Sequence, residues 1–116
     1  MARSTLRKIS WLKGTLKDFG KFPAGVKDEA TDALTQIAEG GTPDIAKPLT
    51  GLGSSVWELA IKERGDAFRI VYALQLDEDI WVVHAFQKKS KSGIATPKQQ
   101  IELVRERIKR LKEALR

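Results

Sequence analysis

A set of cations sits where antiparallel strands can gather it: Lys62, Arg64, Arg69, Lys88, Lys89 and Lys91. Val56 to Lys62 and Ala67 to Leu76 alternate apolar and polar residues, which is the period of a strand with one buried face. Ile80 to Gln87 is apolar at nearly every position, as a central strand is. The connectors Glu63-Arg64-Gly65-Asp66 and Asp77-Glu78-Asp79 are too short for a crossover, so the strands must run antiparallel. That pairing brings the Lys88 end back beside Phe68 and Arg69. It also sets Arg69 on the face of Glu58, Ala60 and Lys62. Cations converging on one sheet edge make a phosphate site. A guanidinium in mid-strand, such as Arg69, is costly unless it is paired or faces a ligand groove. Glu58 is the pairing alternative. Arg64, Lys89 and Lys91 lie in loops, where cations are commonly just solvated.

Other chemistry is sparse. His84 is the one histidine and lies among Val82, Val83, Ala85 and Phe86. It reads as a satisfied core histidine before it reads as a general base. Tyr72 falls on the apolar face of its strand, and Trp57 and Trp81 look structural. Phosphate loops, zinc-helix motifs and nucleophile elbows are absent. There is no cysteine, which excludes thiolate metal sites, thiol nucleophiles and disulfides and fits a cytosolic protein. No metal or cofactor site is expected. The Asp77-Glu78-Asp79 trio reads as a solvated turn.

The elements that position these residues follow from spacing. Leu6 to Leu12 suggests a first strand broken by Gly14, and Leu16 and Phe19 suggest a short helical turn ending at Gly20. Val26, Ala30, Ala33, Leu34, Ile37 and Ala38 form the stripe of an amphipathic helix. Pro23 opens it at the first helical position, and Gly40-Gly41 closes it. Residues 42 to 55 read as an ordered loop packed down by Ile45, Leu49 and Leu52. Thr96-Pro97-Lys98-Gln99 reads as a capping box, with Thr96 as N-cap. Ile101, Val104, Ile108, Leu111 and Leu115 then make the apolar face of a last helix whose other face is dense in charge. The expected order is β–α–α–β–β–β–α, an α+β domain with an antiparallel sheet flanked by helices.

The 116 residues fit one domain over 1–116. The net charge of +6, from 21 Lys+Arg against 15 Asp+Glu, favours a polyanionic partner. No apolar run approaches a membrane span. The basic N-terminus lacks the apolar core of a signal peptide, so a cytoplasmic location is expected.

Several segments carry a resemblance. Val56-Trp57-Glu58-Leu59, Asp66-Ala67-Phe68-Arg69-Ile70-Val71-Tyr72, His84-Ala85-Phe86-Gln87-Lys88-Lys89-Ser90 and Thr96-Pro97 resemble the phage-derived, HigB-like branch of the RelE/ParE toxin superfamily. The similarity runs from about residue 6 to the end. It implies a toxin of a type II toxin–antitoxin system that cleaves mRNA on the ribosome without a metal. In that reaction the ribose 2′-hydroxyl attacks the adjacent phosphate. The resemblance assigns Arg69 to phosphate stabilisation, and Lys88 and Lys89 to phosphate binding or proton transfer. Lys62 and Arg64 are looser matches, with a supporting role in RNA binding or as base, and Lys91 joins them in binding RNA. One departure matters: the Tyr or His that some RelE-like enzymes carry after the final loop is replaced here by a longer helix. The general base is left unassigned.

Two further readings share the fold: a ParE-like gyrase poison without nuclease activity, and a degenerate, non-catalytic co-repressor that only binds its antitoxin. Function lives in the site rather than the fold. The partners implied are a helix-turn-helix antitoxin, the ribosome with its mRNA, and operator DNA through the antitoxin. Charge complementarity suggests an acidic antitoxin surface covering the basic site.

Overall fold

Alternation along each strand decides which side chains meet which helix. In the computed structural model, which describes residues 6–88 and 96–116, the elements are β1 (Ile9–Trp11), α1 (Thr15–Gly20), α2 (Ala24–Ala38), β2 (Ala46–Pro48), β3 (Val56–Glu63), β4 (Asp66–Ala73), β5 (Ile80–Lys88) and α3 (Lys98–Ala114). The strands form one five-stranded sheet in the order β1-β5-β4-β3-β2. One face carries Leu59 and Ile61 of β3, Phe68, Ile70 and Tyr72 of β4, and Ile80 and Val82 of β5. It packs on Val26, Ala30, Leu34 and Ile37 of α2. The other face carries Val56, Val71, Ala73, Val83 and Phe86 against Val104, Ile108 and Leu111 of α3. An aromatic chain joins α1 to the first layer: Trp11, Phe19, Phe22 and Phe68 follow one another at centroid distances of 5.0, 5.8 and 4.9 Å.

The α+β class and the three antiparallel strands β3, β4 and β5 are as expected. Two details differ. β1 pairs parallel to β5, with Ile9 opposite Ile80 and Trp11 opposite Val82, so the sheet is mixed. The chain between them supplies the long crossover a parallel pair needs. A short strand, β2, also lies in the stretch expected to be loop, pairing Lys47 with Glu58. Three residues ending in proline give no readable alternation.

Two local devices fix the layout. Arg64 and Gly65 both have positive φ, 52° and 86°, as a two-residue type I′ hairpin requires. Its twist matches that of β3 and β4, which keeps Lys62 opposite Ala67. In β5, Tyr72 pairs with Val82 but Val71 pairs with His84, so Val83 is the extra residue of a β-bulge. Ile80 and Val82 face α2, yet His84, Phe86 and Lys88 share rows with Val71, Arg69 and Ala67. The bulge thus turns the end of β5 over. It also frees the Val83 carbonyl, which accepts from Thr15 Oγ1 of α1 (3.2 Å) and from Arg107 Nη1 of α3 (2.8 Å). One carbonyl therefore joins both helical layers.

At the end of α2, Gly40 has φ 95°. The N–H of Gly40 donates to Ile37 and that of Gly41 to Gln36, each at 2.9 Å. This is a Schellman ending. A side chain in the left-handed region costs about 1 kcal/mol. Gly40→Ala is therefore expected to lower the unfolding free energy by about that amount, read as a lower urea midpoint at unchanged slope. An unchanged midpoint would show that this turn does not constrain the helix end.

Candidate functional site

Strand register places the candidate residues in rows. Lys62, Ala67 and Lys88 form one row across β3, β4 and β5, and Ala60, Arg69 and Phe86 form the next. Lys47, Glu58, Val71 and His84 form the third. All lie on the face covered by α3. Ala60 and Ala67, being small, leave space above the sheet. A groove of about 480 Å³ is lined by Lys47, Ala60, Lys62, Ala67 and Arg69, with Glu29, Asp44 and Ile45 along its other wall.

Arg69 and Glu58 are both buried, at 4% and 3% exposure. Arg69 Nη1 donates to Glu58 Oε1 at 2.9 Å. The second carboxylate oxygen accepts from Thr96 Oγ1 at 2.5 Å. A guanidinium in mid-sheet is tolerated because its charge is compensated within hydrogen-bond distance. Thr96 therefore does not cap α3: Pro97 holds the N-cap position and no side chain caps it. The capping-box expectation gives way because Glu58 offers a charged acceptor, a stronger partner than a backbone N–H.

Lys88 is 6% exposed. Burial pushes its ammonium below the ordinary lysine range, Arg69 adds to this, and Glu58 opposes it; Lys62 and Lys47 push further down. Lys62 and Lys47 are exposed. The fold therefore brings together Arg69, Lys88 and Lys62. It sets Arg64 at the hairpin tip, where Arg64 lines a different groove with Pro23, Ala24, Gly25, Glu63 and Asp66. Lys89 and Lys91 lie outside the described residues. Sequence reasoning misses Lys47, because only its pairing with Glu58 reveals that it belongs to a strand.

His84 is 6% exposed and both ring nitrogens are engaged. Nδ1 accepts from Arg107 Nη1 at 3.0 Å, so Nε2 carries the hydrogen and donates to Gln100 Oε1 at 2.5 Å. The ring stacks on Phe86 at 4.9 Å. Burial pushes its pKa below the usual value and Arg107 acts in the same direction, while Gln100 and Asp18 oppose. It is a satisfied core histidine. Tyr72 is 1% exposed, and burial raises its phenol pKa, so it stays neutral. The Asp77 carboxylate accepts from the Asp79 N–H and from Trp81 Nε1. Arg7 also donates to the Glu78 and Asp79 carbonyls and Ser10 Oγ to the Asp79 carboxylate, so that turn is tied to the β1 segment.

A family model described as "Phage derived protein Gp49-like (DUF891)" matches residues 17–109. The chain belongs to the Gp49-like family. Two solved structures share the Gp49-like chain's architecture. One is a double arginine-to-alanine mutant of the E. coli toxin RelE in the free state. It has a TM-score of 0.59 and 18% identity over 90% of this chain and 97% of that one. The other is the isolated E. coli RelE toxin, at TM-score 0.52 and 18% identity over 86% and 97%. This identity speaks for the fold, which is RelE-like. No curated protein gives a significant sequence match. Among the described residues of this Gp49-like protein, no helix is long and apolar enough to cross a membrane.

Two outcomes follow from this geometry. Arg69→Ala strands a buried carboxylate and is expected to cost about 3–5 kcal/mol. The double variant Glu58→Gln, Arg69→Met should recover most of that loss in a denaturant titration. Equal losses in the two would mean the pair is not coupled. His84 in the unfolded chain titrates near pH 6.5, above its folded value, so the unfolded state binds more protons between the two. Stability should be full above about pH 6.5 and fall as pH drops through the folded value. His84→Gln should flatten that fall when unfolding is followed from about pH 8 to about pH 5; a parallel decline in both proteins would assign it elsewhere.

Proposed function

We propose that the protein is the toxin of a type II toxin–antitoxin system, acting as a metal-independent, ribosome-dependent mRNA endonuclease. The observation that carries this reading is the row Lys62–Ala67–Lys88 beside Arg69, at the open end of a RelE-like sheet. E. coli RelE is itself described as a toxin.

RNA cleavage of this type needs little covalent chemistry from the protein. A base takes the proton of the 2′-hydroxyl, its oxygen bonds to phosphorus, and the 5′-oxygen leaves with a proton. The products are a 2′,3′-cyclic phosphate and a free 5′-hydroxyl. Charge builds on the non-bridging phosphate oxygens, where preorganised donors are worth most. Arg69 is preorganised by Glu58, which fixes its guanidinium while the net charge of the surrounding cluster stays positive. Lys88, whose proton affinity is lowered by burial and by the neighbouring cations, stands beside Arg69 and is the group placed for proton transfer. Lys62 and Lys47 hold flanking phosphates, and Arg64, Lys89 and Lys91 are the further RNA-binding residues that the family resemblance implies. Cationic side chains supply the charge stabilisation. Such a protein works in the cytoplasm, is held in check by a helix-turn-helix antitoxin and reaches operator DNA through it.

One observation favours a second reading. The Arg69 guanidinium is buried and bonded to Glu58, as a structural arginine would be. A gyrase poison or an antitoxin-binding co-repressor would keep that pair without using it on phosphate. Primer extension on mRNA from cells briefly expressing the protein separates these. Wild type should cut within translated codons, and Lys88→Ala, folded and expressed to the same level, should cut at least about a hundredfold less. Growth arrest with intact mRNA and damaged DNA would establish the gyrase reading instead.

A further inference from the structure

A second groove lies between the β1–α1 turn and the last turns of α3, lined by Leu12, Lys13, Arg107, Arg110, Leu111 and Ala114. It sits near the Val83 bulge, since the Leu12 N–H donates to the Val82 carbonyl. Lys88 is five residues further along β5, about 16 Å at strand rise. The groove is therefore separate from the Lys62–Arg69–Lys88 cluster.

Its chemistry is specific. Leu12, Leu111 and Ala114 make an apolar wall, and three cations line the rest with no carboxylate among the lining residues. Arg107 is anchored: Nη1 donates both to the Val83 carbonyl and to His84 Nδ1. Among the described residues no acceptor takes its Nε and Nη2 donors. Those two nitrogens form the edge of a guanidinium that grips a carboxylate side-on with two parallel hydrogen bonds. Because the other edge is fixed, little rotamer freedom remains to be lost on binding. Arg110 is bonded on its exposed side by Glu106 at 3.1 Å, an exposed pair that yields readily to a competing acid. Close by in sequence, Leu16 is 53% exposed, and Leu115 at the end of α3 is 36% exposed.

A phosphate backbone has nothing to place against leucines. A helix with acidic residues on one side and apolar residues beside them does. We propose that this groove is the docking site for an acidic amphipathic segment of a partner protein, with one carboxylate held by the free edge of Arg107 and others by Lys13 and Arg110. The partner's identity as antitoxin rests on the toxin reading; the groove's chemistry does not.

The test uses the full chain and, as its probe, the purified helix-turn-helix antitoxin that the toxin reading calls for, with affinity measured by calorimetry. Lys13→Glu and Arg110→Glu alter exposed side chains and leave the Arg107 anchor in place. Each should weaken binding at least about tenfold, whereas Lys109→Glu, the same charge change on α3 outside the groove, should weaken it less than about threefold. Equal losses in all three variants, no loss in any, or no binding by wild type would overturn the proposal. Growth of cells expressing the chain alone reports on the toxin reading separately. If wild type arrests growth and Arg110→Glu arrests it equally but is no longer rescued by the partner, both stand. If wild type is harmless yet the calorimetric pattern holds, the toxin reading fails and the docking site remains.

Discussion

The buried contact between Arg69 and Glu58 is the constraint around which the α3 face of the sheet is arranged. Two opposite charges at 2.9 Å inside a sheet are costly to desolvate and more costly to separate. Each therefore dictates what its neighbours can be. Ala60 and Ala67 are small where the guanidinium must fit. Thr96 turns its hydroxyl to the second carboxylate oxygen, which ties the start of α3 to β3. Lys88 sits within the field of this pair, and its environment lowers its proton affinity. Once an arginine occupies mid-strand, its salt bridge cannot be omitted.

The two faces of the sheet divide the labour. Toward α1 and α2, the packed side chains are almost wholly apolar, from Val26 to Phe68. Toward α3, the apolar set of Val71, Val83 and Phe86 is interleaved with Glu58, Arg69, His84 and Lys88, all buried. The first face supplies stability in the ordinary way, by removing apolar surface from water. The second gives up part of that stability to hold charges in fixed positions.

Much of this arrangement is legible in the order of residues alone. The alternation of Trp57, Leu59 and Ile61, and of Phe68, Ile70 and Tyr72, marks β3 and β4, and the short turns dictate their antiparallel pairing. From these alone Arg69 falls on the face of Glu58 and Lys62. β2 escapes because Ala46–Pro48 is too short to show a period. The parallel pairing of β1 escapes because it joins residues far apart in sequence, for which local pattern holds no information. Thr96 misleads for a different reason: its local signature is that of a cap, and the competitor, Glu58, is distant in sequence. Arg107 looks like one more charge on a solvated helix face. Only the freed carbonyl of Val83 and the ring of His84 reveal it as an anchor.

That freed carbonyl exists because β5 carries one residue more than its neighbour. Strands keep count by parity: every second residue belongs to the same side. The bulge changes the count once, between Val82 and His84, and everything downstream inherits the change. Lys88 reaches the side of Arg69 by arithmetic rather than by chemistry. Removing a single residue from this stretch would exchange inside for outside along the rest of the strand, with each side chain still of the right type and on the wrong side. Substitutions here can be absorbed one at a time; a change of length cannot. The spelling of β5 is thus freer than its letter count.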